Sequence, residues 1–273
     1  MRVIYVVVFS LGVLFFQKSH AQTTSSSIDI VPNSESYDAF GDKEWFEFRI
    51  HYGFFNASVA TLEVREDTLN KQRVFHAKGY GRTTGLARWF FKVEDRYESY
   101  FDPLTGVPYK SIRDIYEGGY TKDIETDFNH DTQIASVHDK KKNTQKSYPF
   151  NDKAQDFISA FYYLRNFLPT QQLEVNQSFA VNMFFDNENY LFKLKFLGKE
   201  TLVTKFGSVR CLKFRPVVQA GRIFREQESV TLWISDDQNR IPLRMQADLA
   251  VGSIKADLEK FKNLKHPFTI EVQ

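Results

Sequence analysis

Apolar side chains recur at every second position through most of this chain, and short turn signals separate one run from the next. Phe46, Phe48, Ile50 and Tyr52 alternate with Glu47, Arg49 and His51, and Gly53-Phe54-Phe55-Asn56 then turns the chain. Ala60, Leu62 and Val64 alternate with Thr61, Glu63 and Arg65, and a third run leads through Val74-Phe75-His76-Ala77 to Gly79-Tyr80-Gly81. A period of two marks a strand with one dry and one wet face. Further runs cover 92–102, 108–116, 120–129, 132–138 and 146–150. They are divided by Asp102-Pro103, Thr105-Gly106, Gly118-Gly119 and Asn129-His130-Asp131. These connections are too short for the crossovers that parallel strands need, so the strands form antiparallel hairpins.

One helix interrupts the pattern. Between Asp156 and Leu168 the residues Phe157, Ala160, Phe161, Leu164, Phe167 and Leu168 recur at three- and four-residue steps. Asn151 or Asp152 is placed to cap its start and Pro169 stops it. Such a stripe packs against the sheet, so one principal helix over about 154–168 is expected there. Strand periodicity then resumes over 179–185, 190–196, 202–206, 209–218 and 224–234. A long last strand carries Met245, Ala247, Leu249 and Val251 on one parity and Ile254, Ala256 and Leu258 on the other. The switch at Gly252-Ser253 reads as a bulge or bend, and that curvature suits a sheet wrapped into a partial barrel. The fold class is therefore mainly β: a curved antiparallel sheet, or an open or partial β-barrel, with the helix against it.

The ends of the chain carry an address. Arg2 precedes an apolar run from Val3 to Phe16, and Ser19-His20-Ala21 offers small residues where a signal peptidase reads. Residues 1–21 thus read as a secretory signal cleaved after Ala21, since about fourteen apolar residues fall short of the roughly twenty a spanning helix needs. No cysteine follows the leader, so no lipid anchor is expected and no transmembrane segment remains after cleavage. Residues 22–41, rich in Ser and Thr with Pro32, read as a flexible lead-in, and 42–273 as a single β-rich domain.

Charge narrows the partners. Of 36 basic residues the leader holds Arg2 and Lys18 and no acid, which leaves 34 basic against 34 acidic. Nucleic-acid binding needs clustered positive charge, and the one basic block, Lys140-Lys141-Lys142, reads as a solvated turn. Cys211 is the only cysteine and lies in an alternating run, as a small buried hydrophobe would. The 27 Phe and 13 Tyr supply large buried area with few rotatable bonds, which suits sheet faces and the walls of apolar cavities.

Catalytic and metal motifs fail on inspection. No histidine pair has the zinc-protease spacing and there is no nucleophile elbow. Asp127-x-Asn129-x-Asp131 opens like a calcium loop but has Thr132 at the sixth position and His138 at the twelfth. Gly79-x-Gly81-x-x-x-Gly85 has the wrong spacing for a dinucleotide fingerprint. Glu94, Glu98 and Asp114 could serve as acid and base in glycan cleavage, although the neighbouring Arg96 and Arg113 favour cross-strand charge pairing. No cofactor and no metal is expected. The densest aromatic stretch runs from Trp89 to Tyr120. It is a sheet core, or the wall of a cavity whose mouth carries Leu86, Trp89 and Phe90 on a mobile loop, with Tyr97, Tyr100, Tyr109 and Tyr116 as further ligand-binding candidates.

Several segments resemble an exported bacterial family known as domain of unknown function 3108. Gly41-Asp42-Lys43-Glu44-Trp45 leading to Tyr52-Gly53-Phe54, then Tyr97-Glu98-Ser99-Tyr100-Phe101-Asp102 and Val107-Pro108-Tyr109, are similar to its opening. The helix from Asp156 to Arg165 resembles its midsection. Trp233-Ile234-Ser235-Asp236-Asp237, Arg240-Ile241-Pro242 and Val251-Gly252-Ser253-Ile254 resemble its close. Ser58 departs from the glycine expected after the first turn. The resemblance covers about 41–261 and implies export in a Gram-negative bacterium and a β-rich fold, similar in outline to periplasmic lipoprotein carriers. It implies no activity. The function expected is a periplasmic, non-enzymatic module for an apolar or lipid-like envelope molecule. The alternatives are an envelope assembly or scaffolding protein with a protein partner and, behind it, a glycan hydrolase.

Overall fold

The computed structural model describes residues 27–30, 38–171, 173–217 and 230–271; the expected signal at 1–21 and the 224–229 part of a predicted strand lie outside them. Alternation becomes strands nearly everywhere it occurs. A first meander runs β2 (Glu44–Tyr52), β3 (Phe55–Leu69), β4 (Gln72–Thr83), β5 (Val93–Phe101), β6 (Pro108–Glu117), β7 (Tyr120–Asn129), β8 (Ile134–Asp139) and β9 (Thr144–Pro149). A second runs β10 (Ser178–Phe185), β11 (Glu188–Thr204), β12 (Gly207–Val217), β13 (Val230–Ser235), β14 (Pro242–Asp248) and β15 (Ser253–Lys262). β15 pairs antiparallel with β2, Ala256 opposite Ile50, and so fuses the meanders into one sheet. With β1 (Ile28–Asp29) parallel to β10 at its edge, the order is β1-β10-β11-β12-β13-β14-β15-β2-β3-β4-β5-β6-β7-β8-β9. The sheet curves but does not close, because no ladder joins β9 to β10.

Curvature comes from bulges, but not from the predicted one. The chain reverses at Gly252: Ala247 pairs with Ile254 and Asp248 with Ser253, Gly252 holds φ +72°, and the Leu249 N–H donates to the Gly252 carbonyl at 3.0 Å. The single long last strand of the sequence reading is thus the hairpin β14–β15, and its parity change marks a turn that only glycine makes without strain. Register slips lie instead at Phe196/Gly198, Trp233/Ile234, Leu258/Lys260, Ile50/His51 and Tyr100/Phe101. Each adds local twist and bends the sheet.

Among the described residues two helices accompany the sheet, the short α1 (Gly85–Phe90) and α2 (Phe157–Phe167). Asp156 caps α2, in place of Asn151 or Asp152: its carboxylate accepts the Ile158 and Ser159 N–H groups at 2.8 Å, and the Asp156 N–H donates to the Ser159 hydroxyl at 2.9 Å. The helix also packs on more than the predicted stripe. No residue from Phe157 to Leu168 is exposed, because the sheet curls around it. Ile158 and Tyr162 meet Phe40, Val64, Ala77, Tyr97, Phe101 and Ile115 on one side. Ala160, Tyr163 and Phe167 meet Phe179, Leu194, Leu212 and Phe214 on the other. A third cluster around Phe46, Cys211, Trp233 and Leu243 seals β2 to β12–β15 without the helix; burial there pushes the Cys211 thiol up to about 12, as for an inert core residue.

The described part of the 22–41 lead-in is packed. Ile28–Asp29 adds a strand, Ile30 is buried and its carbonyl accepts the Tyr163 hydroxyl at 2.9 Å. Ala39 and Phe40 are buried as well. Ser and Thr content hid these few apolar anchors.

One ion pair ties the inner helix to the sheet. Arg165, on the last turn of α2, meets Glu44 at the start of β2 in a two-pronged contact of 2.6 and 2.9 Å, with both side chains essentially solvent-free. The remaining guanidinium donors reach the Asn239 and Ala39 carbonyls at 2.8 and 3.1 Å. Arg240 donates to the Arg165 and Leu168 carbonyls at 2.9 Å, satisfying groups that a helix end leaves open. Removing one partner strands a buried charge, so Arg165→Met or Glu44→Gln is expected to cost about 3–5 kcal/mol in urea unfolding. The double change Arg165→Met/Glu44→Leu should cost less than the sum of the single changes.

Candidate functional site

Where β9 and β10 fail to pair, the concave face is partly uncovered and a cleft of about 390 Å³ remains. Its wall is the inward parity of β5–β9. Cross-strand register sets Tyr97, Arg113, Ile124 and Asp139 in one row, and Ser99, Ser111, Thr126, Val137 and Lys146 in the next. Opposite stand Phe157 and Ile158 at the start of α2 and the β10–β11 turn, Phe184-Phe185-Asp186-Asn187. Six aromatic rings line the space: Tyr97, Phe128, Tyr148, Phe157, Phe184 and Phe185. Phe128, Phe150 and Phe184 close its base edge to face.

Charge is concentrated at one end. Arg113 lies over the Phe185 ring at 3.9 Å from its centroid and donates through Nη1 to Asp186 at 2.7 Å. Its Nε and Nη2 are buried and have no hydrogen-bond partner. Lys122 reaches the same Asp186 oxygen. Burial alone would raise Asp186, but Arg113 and Lys122 outweigh it and hold the carboxyl below its usual range. Burial, reinforced by Arg113, lowers Lys122. Lys142 and Lys146 stand at the exposed side, Lys142 paired with Asp139 at 2.9 Å. Behind Arg113 lies an acidic pair: burial, then the charge of Glu117, pushes Asp95 well above the carboxylate range, and burial raises Glu117 as well. Burial also lifts Asp156 to about 6 against its hydrogen bonds from Ser99 and the helix N-terminus.

The residues singled out from the sequence scatter across the molecule. Tyr97 lines the cleft. Tyr100 lies on the outer face, stacked on His76 at 3.9 Å. Tyr109 sits at the start of β6, donating to Asp102 at 3.0 Å and accepting from Gln72 at 2.6 Å. Tyr116 is half-exposed, with the Lys92 ammonium 4.8 Å from its ring centre. Leu86, Trp89 and Phe90 stand out into solvent from α1, a helical turn where a loop was expected, and border no part of the cleft. The three carboxylates of the hydrolase reading are engaged by neighbours on β5 and β6: Glu94 pairs with Arg88 and Lys92, Asp114 with Arg96, and the buried Glu98, which also borders the cleft, with Arg96 and in a hydrogen bond with His76. Among the described residues, no cluster of three or more His, Cys, Asp or Glu is placed to hold a metal ion.

Arg113 and Lys122 escaped the sequence reading, although a signal existed. Arg113 shares the parity of Ile115, and Lys122 that of Ile124 and Phe128, so both are charges on the dry side of their strands. Phe184, Phe185 and Asp186 left no such trace, because nothing local brings the β10–β11 turn to β6 and β7.

The chain matches, over residues 47–259, the family described as protein of unknown function (DUF3108). It belongs to that family. Among solved structures, it is similar to a β-barrel-like protein of domain of unknown function DUF1849 from Brucella abortus, with a TM-score of 0.51 and 9% identity over 82% of this chain and 99% of that one. A “putative lipoprotein” from Parabacteroides distasonis aligns over 84% of this chain and 100% of its own at 12% identity, with a TM-score of 0.32. The first likeness shows a shared fold. No curated protein matches the chain.

The raised carboxyls give a pH dependence of defined sign. Native Asp95 and Asp156 hold protons that the unfolded chain has released above about pH 4, so both contribute stability at low pH that is lost as pH rises through their native titration. Asp95→Asn removes the larger share. Its stability relative to the parent, read from urea midpoints, should be higher at pH 8 than at pH 5.

Proposed function

We propose that this is an exported, non-enzymatic binding protein of the bacterial envelope, and that its cleft takes an amphipathic, lipid-like molecule. The observation that carries this reading is the lining: six aromatic rings beside Ile112, Ile124, Val137 and Ile158, ended by a guanidinium with two unpartnered donors. An acyl or other apolar segment removes ring and methyl surface from water. An anionic or acceptor-bearing head group then supplies what Arg113 lacks, since a buried donor left unpaired costs about 1–3 kcal/mol. A volume of about 390 Å³ lies within the ordinary range of small-molecule sites. The signal-like leader supports export, with the periplasm as the compartment. No helix among the described residues is long and apolar enough to cross a membrane.

The direct test is mass spectrometry of a gentle organic extract of the purified protein, with displacement of a fluorescent fatty acid as the second readout. A co-purifying amphiphile is expected. A fatty acid should bind about ten-fold or more tightly than the alcohol of the same chain length, since a charge-assisted hydrogen bond is worth about 1.5–3 kcal/mol. Ile124→Trp, which fills the cleft, should abolish both. A reproducibly empty protein that binds no probe ends the reading.

A further inference from the structure

Three successive tips at one end of the sheet carry apolar side chains that the protein itself does not use. The β2–β3 turn presents Phe54 and Phe55, α1 presents Leu86, Trp89 and Phe90, and the β14–β15 turn presents Val251, every one of them exposed. Antiparallel order places these turns side by side, since β14, β15, β2, β3, β4 and β5 are consecutive neighbours. Contacts lock them together: the Tyr52 hydroxyl donates to the Val251 carbonyl at 2.8 Å, and the Thr84 N–H to the Ala57 carbonyl at 3.0 Å. Positions 86, 89 and 90 share one helical face, yet α1 buries no residue of its own. Trp89 and Phe90 are 89% and 86% exposed. Folding alone gives no reason to place two large rings in water.

We infer that this rim docks on an anionic lipid surface. Charge selects that occupant. The segment 82–92 holds Arg82, Arg88 and Lys92 and no carboxylate, while 52–60 and 249–254 hold no charge at all. Glu94, just beyond, pairs with both Arg88 and Lys92 at 2.7 and 2.8 Å and holds them beside the rings. Basic side chains flanking Trp, Phe and Leu are what an interfacial element needs: the rings enter the headgroup boundary and the cations meet anionic headgroups. The geometry agrees, because separate protrusions enter a fluid interface without a matching pocket, whereas a protein partner would have to supply one for each knob. The rim borders no part of the cleft, so the inference goes beyond the proposed ligand and stands with the cleft empty. It also gives Leu86, Trp89 and Phe90 a place as binding residues, on a membrane surface instead of a cavity mouth.

Co-sedimentation of the purified chain tests it, with vesicles of phosphatidylethanolamine and phosphatidylglycerol against vesicles of phosphatidylcholine. The chain is expected to pellet with the anionic vesicles, to be released by raised salt, and to show a blue shift of Trp89 emission that Trp89→Phe removes. Trp89→Ser/Phe90→Ser alters no buried residue and should lower partitioning by at least about ten-fold, while Ile124→Trp should leave it unchanged. A parent protein that stays in the supernatant at low salt overturns the inference, as does a double variant that binds like the parent. Loss of vesicle binding in Ile124→Trp would assign the lipid to the cleft and overturn it too. So would a dimer in sedimentation velocity that the double variant converts to monomer without any vesicle binding.

Discussion

The buried contact between Arg165 and Glu44 is the constraint around which the molecule is arranged. A sheet that runs to fifteen strands among the described residues and does not close needs something inside it to fill its curve. α2 does so, and a helix wrapped on several sides must satisfy its last-turn carbonyls and any charge it carries without water. Arg165 meets Glu44, Ala39 and Asn239, while Arg240 covers the helix end. The start of β2, the N-terminal segment at Ala39 and the β13–β14 turn are thereby held to one guanidinium. Four aromatic rings, those of Phe40, Phe46, Phe161 and Tyr162, lie within about 6 Å of it.

The same arrangement leaves the cleft. One helix fills the curve between β2–β5 and β10–β12, but the inner face of β6–β9 extends past its N-terminal end. The β10–β11 turn covers part of that face, and the rest stays open between β9 and β10. Cleft and helix cap share a residue: Asp156, which starts α2, borders the cleft and accepts a hydrogen bond from the buried Ser99 hydroxyl. The acidic pair behind Arg113 is tolerated because the protonated form carries no charge to desolvate.

Cleft and rim divide the aromatic residues into two populations with different physics. Rings on inward parities, such as Tyr97 and Phe128, are held by neighbours on both sides and shape a space. Rings at the turn tips, such as Phe54 and Trp89, touch little and present area outward. Sequence density alone merges them, since Trp89 and Tyr97 are eight residues apart and lie in different surroundings. The sheet thus carries an aromatic-lined cleft and, at one end, a set of exposed rings that border no part of it.

Much of the fold was legible from the sequence because strand signals are local. Period-two alternation, turn dipeptides and the 156–168 periodicity depend on residues a few positions apart, and they located most strands, the antiparallel order and the principal helix. The same reasoning stumbled where one local sign has two global meanings. A parity change fits either a bulge or a reversal, and only the partners of β14 and β15 told them apart. The family resemblance, carried by short motifs, was likewise readable in advance. Tertiary structure alone decided that the helix lies inside the curve, that Asp156 and not Asn151 caps it, that Arg113 faces Asp186 across 73 positions, and that Leu86, Trp89 and Phe90 face outward. Those outcomes depend on which distant segments share a volume, and no periodicity within one segment encodes that.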